Sequence, residues 1–499
     1  MRTFLSFLCA GATAFLISIS VLRADDKAVI VHEWGTFTCL QDENGQAIKG
    51  INVDDEPVPQ FVYQEEAVNV TAQYSQWKKS FGLPPYQNFF SKGWAPGDPE
   101  VTMRLETPVI YLYPPQGHAP ASVPLLQVHV DFHDGLLSQY YPYAQTEGLS
   151  HWGLGITREK GILNGLISGL TWKDVRLGYT EMPVATEDKV WTTPREVSAP
   201  LLEVQAPGGW DGNNRLPDKP QAEHFLFYRG VGHLNSPIFV APDGSGKKGE
   251  MEMGSSLWGG VEDIESAWIV EIRPDGSCAT RSFKNVSKNL YKGLHAWFTT
   301  GGIWWFPNFS AAFSDSDFSV DNLVNLKTSM HDELVKEGLF DDEATAMLKT
   351  WELSYFKSPG LRFFYIVPRA WVDKVLPLEI TGAPTDITRV MVGRIELVTD
   401  AQKAALARLA AGPCPDLTTI KQSANDALER GKLTDEEKRA FYSGEKPLSE
   451  LGITIPPLVQ DYLSLGRFRD ALIVHEQQLH PSAALAQFIE DNRLISQQN

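Results

Sequence analysis

From Ala28 to about Phe309, apolar and polar residues alternate with a period of two, and turn residues interrupt this alternation at short intervals. The pattern is typical of strands in antiparallel sheets, where the two faces of each strand differ. One such strand carries Val29, Val31, Phe37 and Cys39 on a single face. The other predicted strands are Val101–Glu106, Val109–Tyr113, Leu125–Phe132, Phe225–Arg229, Ile238–Ala241, Ala267–Arg273 and Gly302–Phe306. Their number and spacing predict a large antiparallel β-sandwich-like region.

The period of the pattern changes near Ser319. Apolar spacing there predicts helices over Asp321–Glu337 and Asp342–Phe356, with Asp341 as the N-cap of the second. Two more strands follow, Leu361–Pro368 and Val390–Val398. A helical hairpin is therefore expected to be inserted between strands.

The chain from Asp400 onward shows only helical spacing. We therefore expect a mainly β fold with an inserted helical hairpin and an α-helical C-terminal cap. The expected domains are a β-rich domain over 25–315, the hairpin with the strands that complete this domain over 316–400, and the helical region over 401–499.

The N-terminus resembles an export signal. An apolar run from Phe4 to Leu22 follows Arg2, and Leu22-Arg23-Ala24 is similar to a cleavage site. We interpret residues 1–24 as a signal peptide and expect a periplasmic or extracellular protein with no membrane insertion after cleavage. The alternative is an uncleaved anchor, since the run is long enough to cross a bilayer.

Composition narrows the classes of partner. The chain has 499 residues, 43% of them hydrophobic, and a net charge of −18. An acidic chain of this kind is not expected to bind nucleic acid, whose phosphates attract basic surfaces. A local basic pocket for a small anionic ligand stays compatible with this charge. Three cysteines follow the signal segment, and we interpret them as buried, inert thiols: Cys39, Cys278 and Cys414. The alternative is one internal disulfide, which leaves one of the three thiols over.

Five sequence blocks resemble a family of exported bacterial proteins of the planctomycete type. The first is the HEWGTFT motif at His32–Thr38. The others are Arg104–Tyr111, Phe227–Gly230, Phe364–Arg369 and Val392–Arg394. The resemblance implies an exported location and a β-rich fold, and it implies no particular reaction.

The HEWGTFT motif places a carboxylate in an apolar setting. In a strand, His32 and Trp34 share one face, whereas Glu33 shares the other with core residues. A buried carboxylate needs a partner, and the candidates are Arg104, Arg229, Arg369 and Arg394. The favoured interpretation is a buried Glu–Arg network between two sheets. In the alternative, Glu33 and Glu106 are catalytic and lie about 5–9 Å apart across a cleft, as glycoside hydrolysis requires.

Two further ligand sites are candidates. Trp210, in the long loop Ala206–Gln221, could stack on a sugar ring. The residues His129, Asp131 and His133 share one face of a strand and are of the types that bind zinc, copper or iron. Two histidines four apart in a strand are separated by about 13 Å, so a divalent metal would use neighbours two apart, best Asp131 with His133, and a third ligand from an adjacent strand, such as His32 or His224. A solvated strand face is the favoured alternative, and a hydrogen-bonded His–Asp pair without an ion is another.

These observations favour an exported binding or structural protein, associated with the envelope or extracellular, with glycan or a small anion as its ligand. The chain lacks an intact zinc-protease, serine-hydrolase or phosphate-loop motif. Two alternatives remain open. One is a secreted hydrolase of extracellular glycan that uses paired carboxylates, and the other is a metal-binding protein.

Overall fold

A computed structural model gives the fold. The residues that it describes are 28–53, 58–64, 97–147, 163–179, 181–205, 207–211, 214–243, 245, 247, 249–255, 264–286, 304–305, 309–413, 417–431, 433–434, 437–438, 441, 446, 448–492 and 494. The segment interpreted as a signal peptide and Cys414 lie outside the described residues.

The strands fall into four sheets. In chain order they are β1 Val29–Gln41, β2 Tyr63–Gln64, β3 Met103–Tyr113, β4 Leu126–His133, β5 Gly135–Tyr141, β6 Gln145–Glu147, β7 Ile167–Leu177, β8 Leu202–Val204, β9 Trp210–Asp211, β10 Asn214–Arg215, β11 Gln221–Glu223, β12 Leu226–Gly232, β13 Phe239–Pro242, β14 Glu250–Ser255, β15 Ser266–Ile272, β16 Cys278–Lys284, β17 Trp304–Trp305, β18 Phe309–Ser310, β19 Gly360–Ile366, β20 Leu378–Thr381 and β21 Thr385–Leu397. The largest sheet has the order β16-β15-β19-β21-β1-β3-β12-β5-β2. A six-stranded sheet has the order β11-β8-β7-β4-β20, with β6 beside β7. Of the two smaller sheets, one contains β13, β14, β17 and β18, and the other pairs β9 with β10.

The helices follow and interrupt the strands. They are α1 Lys189–Thr192, α2 Asp321–Lys336, α3 Asp341–Thr350, α4 Arg369–Val375, α5 Asp400–Ala411, α6 Leu417–Arg430, α7 Pro457–Ser464, α8 Arg469–Leu479 and α9 Ala483–Asn492. A π-helical turn, Glu352–Lys357, continues α3. Among the described helices, none is long and apolar enough to cross a membrane.

One face of the nine-stranded sheet packs on the six-stranded sheet. Val31 and Phe37 of β1 share this core with Val128 of β4 and Trp172 of β7. The predicted β-sandwich is confirmed, with one difference. The central pair β1–β21 is parallel. Parallel neighbours need a long connection, and here nearly the whole β region lies between the two strands in the chain.

The other face of the nine-stranded sheet carries two helical units. The hairpin α2–α3 covers one part of this face, where Trp34 packs with Met330, Met347 and Trp351. The C-terminal helices α5 to α9 cover the part near the end of β1, where Leu40 packs with helical residues such as Leu472. This face is called the helix-facing side below. The inserted hairpin and the helical cap are therefore both confirmed.

Capping residues explain where one helix begins, whereas two other helix boundaries differ from the predicted ones. At α5, Thr399 accepts a hydrogen bond from the Gln402 backbone N at 3.1 Å, which is a capping box. At α3, Phe340 instead of Asp341 is the N-cap residue, because the Glu343 carboxylate accepts from the Phe340 backbone N at 2.7 Å. The single helix predicted up to Phe356 is divided into α3 and the π-helical turn.

Cys39 and Cys278 are buried and form no disulfide. Burial raises the pKa of the Cys39 thiol to about 12. The interpretation of these two cysteines as inert core thiols is confirmed.

Candidate functional site

The five blocks behind the family resemblance lie on five neighbouring strands. These are β19, β21, β1, β3 and β12, in that order across the nine-stranded sheet. Phe364–Arg369 extends beyond its strand into α4. Residues that are distant in the sequence therefore meet at the centre of one sheet.

A β-bulge between β1 and β3 determines which side chains meet there. The pairing passes from Trp34 opposite Val109 to Thr36 opposite Glu106, so β3 has an extra residue at this point. Thr107 adopts a positive φ of 47°. A Cβ on Gly35 would lie 2.9 Å from Pro108 Cα, so the close approach requires glycine. The bulge turns Glu106 to the helix-facing side.

Four arginines and two glutamates gather on this side, between the hairpin and the C-terminal cap. We call them the arginine cluster, and its members are Arg104, Arg362, Arg394, Arg467, Glu106 and Glu396. The arginine side chains are 0–9% exposed. Because fully buried charges are costly unless they are paired, such a concentration of guanidinium groups is unusual.

Glu106 joins the sheet to both helical units. Its Oε1 lies 3.0 Å from Arg104 Nη2 and accepts from Arg467 Nη2, in the cap, at 2.8 Å. Its Oε2 accepts from Thr38 Oγ1 at 2.8 Å and from Tyr355 Oη, in the π-helical turn, at 2.5 Å. Each carboxylate oxygen of Glu106 therefore already has two partners.

Glu396 holds the other two arginines through one oxygen. Arg394 Nε donates to Glu396 Oε1 at 2.6 Å, and Arg362 Nε lies 3.2 Å from the same oxygen. Burial alone would raise the pKa of Glu396, but Arg362 and Arg394 hold it below its usual range. Burial, reinforced by Arg394 and Arg467, lowers the pKa of Arg362 to about 10 despite Glu396. Burial is therefore the main cause of the low pKa of Arg362.

Tyr355 lies at the centre of the site. The Arg394 guanidinium carbon is 4.1 Å from the centre of the Tyr355 ring. Arg362 Nη1 donates to the Tyr355 backbone carbonyl at 2.6 Å. π-Helical turns are often found at functional sites, because the wider turn exposes backbone carbonyls and displaces side chains.

Arg394 Nη1 is buried and has no hydrogen-bond acceptor among the described residues. An isolated buried donor typically costs about 1–3 kcal/mol, more when it is charged. The arrangement can therefore provide a hydrogen bond and positive charge to an anion.

Glu33 lies on the opposite face of the sheet and is fully buried. Its Oε2 accepts from Arg389 Nε, and its Oε1 accepts from Tyr228 Oη. Arg389 Nη1 also donates to Asp373 Oδ1 at 2.9 Å. Glu33 is paired with an arginine in the core, but the expected network between two sheets is not found. The arginine is Arg389, which was not among the four predicted partners, and Arg389 and Tyr228 belong to the same nine-stranded sheet as Glu33. The parallel register places Arg389 directly beside Glu33.

Glu33 and Glu106 therefore do not share a cleft. Two of the four arginines predicted as partners of Glu33, Arg104 and Arg394, lie in the arginine cluster. Arg229 donates to Gln139 Oε1 in the core. Arg369 is in α4 instead of a strand, and its Nε donates to Asp373 at 2.7 Å.

His32 and Trp34 are on the helix-facing side, beside the hairpin. His32 Nδ1 lies 2.6 Å from Glu343 Oε2, and Trp34 packs edge-on against Trp351 at 6.4 Å between ring centres. Both are buried. These contacts attach the helical hairpin and the turn after it to the sheet.

The histidines predicted to bind metal do not converge. His129 Nε2 lies 3.1 Å from Asp131 Oδ1, and its Nδ1 lies 2.8 Å from Thr171 Oγ1. The predicted additional ligands, His32 and His224, contact Glu343 and the Ala199 carbonyl instead. In the described part of the chain, three ligand atoms converge only at Glu265, Glu333 and Glu337.

That carboxylate group already has cationic partners. Lys284 Nζ and Lys336 Nζ donate to Glu333 at 2.7 Å and 2.9 Å, and Lys336 Nζ also donates to Glu265 at 2.6 Å. Burial would raise the pKa of Glu333, but these lysines lower it overall. The group functions as an ion-pair network between α2 and the sheet.

Trp210 lies in β9, in a two-stranded hairpin with β10, and its side chain is outside the described part of the structure. The glycan-stacking prediction for Trp210 therefore stays a prediction.

Sequence reasoning missed Arg362, Glu396, Arg467 and Arg389. The sequence contains one indication of the site, namely the break between the two strands that were predicted on either side of Thr107 and Pro108. Proline inside a strand indicates a bulge, and this bulge turns Glu106 toward the cluster.

Comparison with known proteins adds no identification: no protein-family model matches the chain, and none of the curated proteins matches it.

Proposed function

We propose that the chain is an exported binding protein that holds a small anion at the arginine cluster. Export is inferred from segment 1–24, and the periplasm or the extracellular space is the expected location. The observation that carries the proposal is Arg394, whose side chain is 0% exposed and whose Nη1 has no acceptor among the described residues.

The competing interpretation is a purely structural cluster that joins the sheet to the cap. Such a cluster would be most stable with every buried charged donor paired. Arg394 Nη1, however, is buried and has no acceptor among the described residues. An anion would give this atom an acceptor, which a purely structural cluster does not.

Hydrolysis of glycan has less support. The pair Glu33 and Glu106 would have to flank one bond, but each carboxylate is held by arginine and they lie on opposite faces of the sheet. A metal-binding function also has less support, since His129 and Asp131 lack a third ligand from the residues predicted to provide it.

The test is calorimetric titration of the purified protein with sulfate, phosphate and acetate, with chloride as the only other anion. We expect one of them to bind with 1:1 stoichiometry. Arg394→Met should weaken that binding about 100-fold, because it removes a desolvated charged donor.

Arg430→Met is the matched control. Arg430 is 81% exposed, pairs only with Asp426 in α6 among the described residues, and should leave the affinity unchanged. Circular dichroism establishes that both variants are folded. The proposal fails if none of the three anions binds, or if folded Arg394→Met binds as tightly as the wild type.

A further inference from the structure

In Arg362, each side-chain nitrogen contacts an oxygen of the protein. Its Nη1 donates to the Tyr355 carbonyl at 2.6 Å. Its Nη2 donates to the Ser358 carbonyl at 2.9 Å and to the Pro359 carbonyl at 3.3 Å. Its Nε lies 3.2 Å from Glu396 Oε1. Arg362 is therefore poorly placed to contact an anion directly, although it belongs to the arginine cluster.

The carbonyls that Arg362 contacts lie in and just after the π-helical turn Glu352–Lys357. The last carbonyls of a helix have no partner within the helix, and a basic side chain can donate to them. A Cβ on Gly360 would lie 3.0 Å from Arg362 Nη2, and Gly360 has a φ of 143°, so glycine lets the guanidinium enter here. Because Tyr355 belongs to this turn, Arg362 also fixes the position of the Tyr355 ring.

Arg362 shares a carboxylate oxygen with Arg394. The register of β19 and β21 places Arg362 directly opposite Glu396. Glu396 Oε1 accepts from Arg394 Nε at 2.6 Å and is in ion-pair contact with Arg394 Nη2. The Nε–Nη2 edge of Arg394 is therefore attached to the oxygen that Arg362 Nε contacts.

Two contacts define the orientation of the Arg394 guanidinium. Its face lies against the Tyr355 ring, with 4.1 Å between the guanidinium carbon and the ring centre. Its Nε–Nη2 edge lies against Glu396. Because a guanidinium is planar and rigid, one fixed face and one fixed edge determine where Nη1 points. Arg362 contacts both of the residues that provide these contacts.

We propose that Arg362 is a positioning residue of the anion site, which orients Arg394 Nη1 through the Tyr355 ring and the Glu396 carboxylate. This inference rests on the proposed anion-binding function and adds a residue to it. A donor that is oriented before binding loses less conformational freedom when the ligand arrives, so this preorganisation strengthens binding.

The test replaces Arg362 with lysine and measures the affinity of the full chain for inorganic sulfate, phosphate and acetate by calorimetry. Lysine keeps the positive charge, but its single ammonium nitrogen cannot replace the fork of a guanidinium. For each anion that the wild type binds, we expect Arg362→Lys to bind about 10-fold more weakly, because Arg394 then has to be ordered during binding.

Arg408→Lys is the matched control. Arg408 is 56% exposed and donates to Asp461 through Nε at 3.0 Å and through Nη2 at 2.7 Å. This substitution therefore also removes a contact made by two guanidinium nitrogens, but at the surface. We expect it to leave the anion affinity unchanged.

A double-mutant cycle separates positioning from a general loosening of the fold. Arg362→Lys is combined with Arg394→Met, and the affinities of the four proteins are compared. If Arg362 acts through Arg394, the lysine substitution weakens binding in the wild type and leaves the residual binding of Arg394→Met unchanged. Equal weakening in both backgrounds would show a purely structural role and overturn the inference.

Tyr355→Leu decides the question if circular dichroism shows that Arg362→Lys does not fold. It removes the ring beside Arg394 and keeps the carbonyl that Arg362 contacts, whereas the control Tyr355→Phe keeps both. We expect about 10-fold weaker binding for Tyr355→Leu and an affinity close to that of the wild type for Tyr355→Phe. Wild-type affinity in folded Tyr355→Leu would overturn the inference.

The failure of this inference is distinguishable from the failure of the proposed function. If folded Arg362→Lys binds as tightly as the wild type while Arg394→Met binds more weakly, Arg362 has no positioning role and the anion site still stands. If the wild type binds none of the three anions, the proposed function itself fails.

Discussion

Glu33→Gln should lower the free energy of unfolding by about 3–5 kcal/mol, because removing one partner of a buried pair leaves the other charge uncompensated. The carboxylate left to Arg389 would be that of Asp373, which is 46% exposed. Burial acts to lower the pKa of Arg389, but Glu33, Tyr228 and Asp373 together more than offset this and raise it. Chemical denaturation measures the effect.

A surface control and a double variant test whether the loss of stability comes from the buried ion pair. Glu379→Gln removes an exposed carboxylate from β20 and should change stability by less than about 0.5 kcal/mol. Combining Glu33→Gln with Arg389→Met should recover part of the loss, because both charges are then absent from the core. Equal unfolding free energies for Glu33→Gln and wild type would show that this ion pair contributes nothing.

Glu106→Gln should also cost about 3–5 kcal/mol, because four groups lose a charged acceptor. The variant would have one negative charge fewer in the arginine cluster. At constant ionic strength, millimolar sulfate should therefore stabilise Glu106→Gln more than it stabilises the wild type. Thermal unfolding with and without sulfate measures the difference.

The control for Glu106→Gln is Glu196→Gln. Glu196 is 56% exposed and pairs with Lys349 at the surface, so its loss should cost less than about 1 kcal/mol. Because sulfate stabilises proteins generally, only the extra stabilisation of Glu106→Gln over this control is meaningful. Equal sulfate responses in the two variants would contradict an anion site beside Glu106.

Sequence periodicity was sufficient for the features that depend on neighbouring residues. Alternation along β1 predicted that Glu33 faces a core, and the change of period near Ser319 predicted the hairpin. The capping signal at Thr399 marks the true start of α5. Each of these follows from the spacing of residues within one element.

The site depends on relations between distant elements, which periodicity does not contain. Arg389 meets Glu33 through the register of a parallel pair whose strands are separated by most of the chain. Arg467 reaches Glu106 only because the C-terminal helices pack at the end of β1. Glu33 and Glu106 were both predicted to face one cleft. They lie on opposite faces of the sheet because the bulge at Thr107 turns Glu106 to the helix-facing side.

The central claim is that the arginine cluster binds an oxyanion, and selenate allows a direct test. Selenate is a tetrahedral dianion similar to sulfate, and selenium can be located by anomalous scattering. In crystals grown with selenate, we predict an anomalous peak within hydrogen-bonding reach of Arg394 Nη1, absent in Arg394→Met. An ordered cluster without a peak, its guanidinium groups contacting only protein atoms, would contradict the claim.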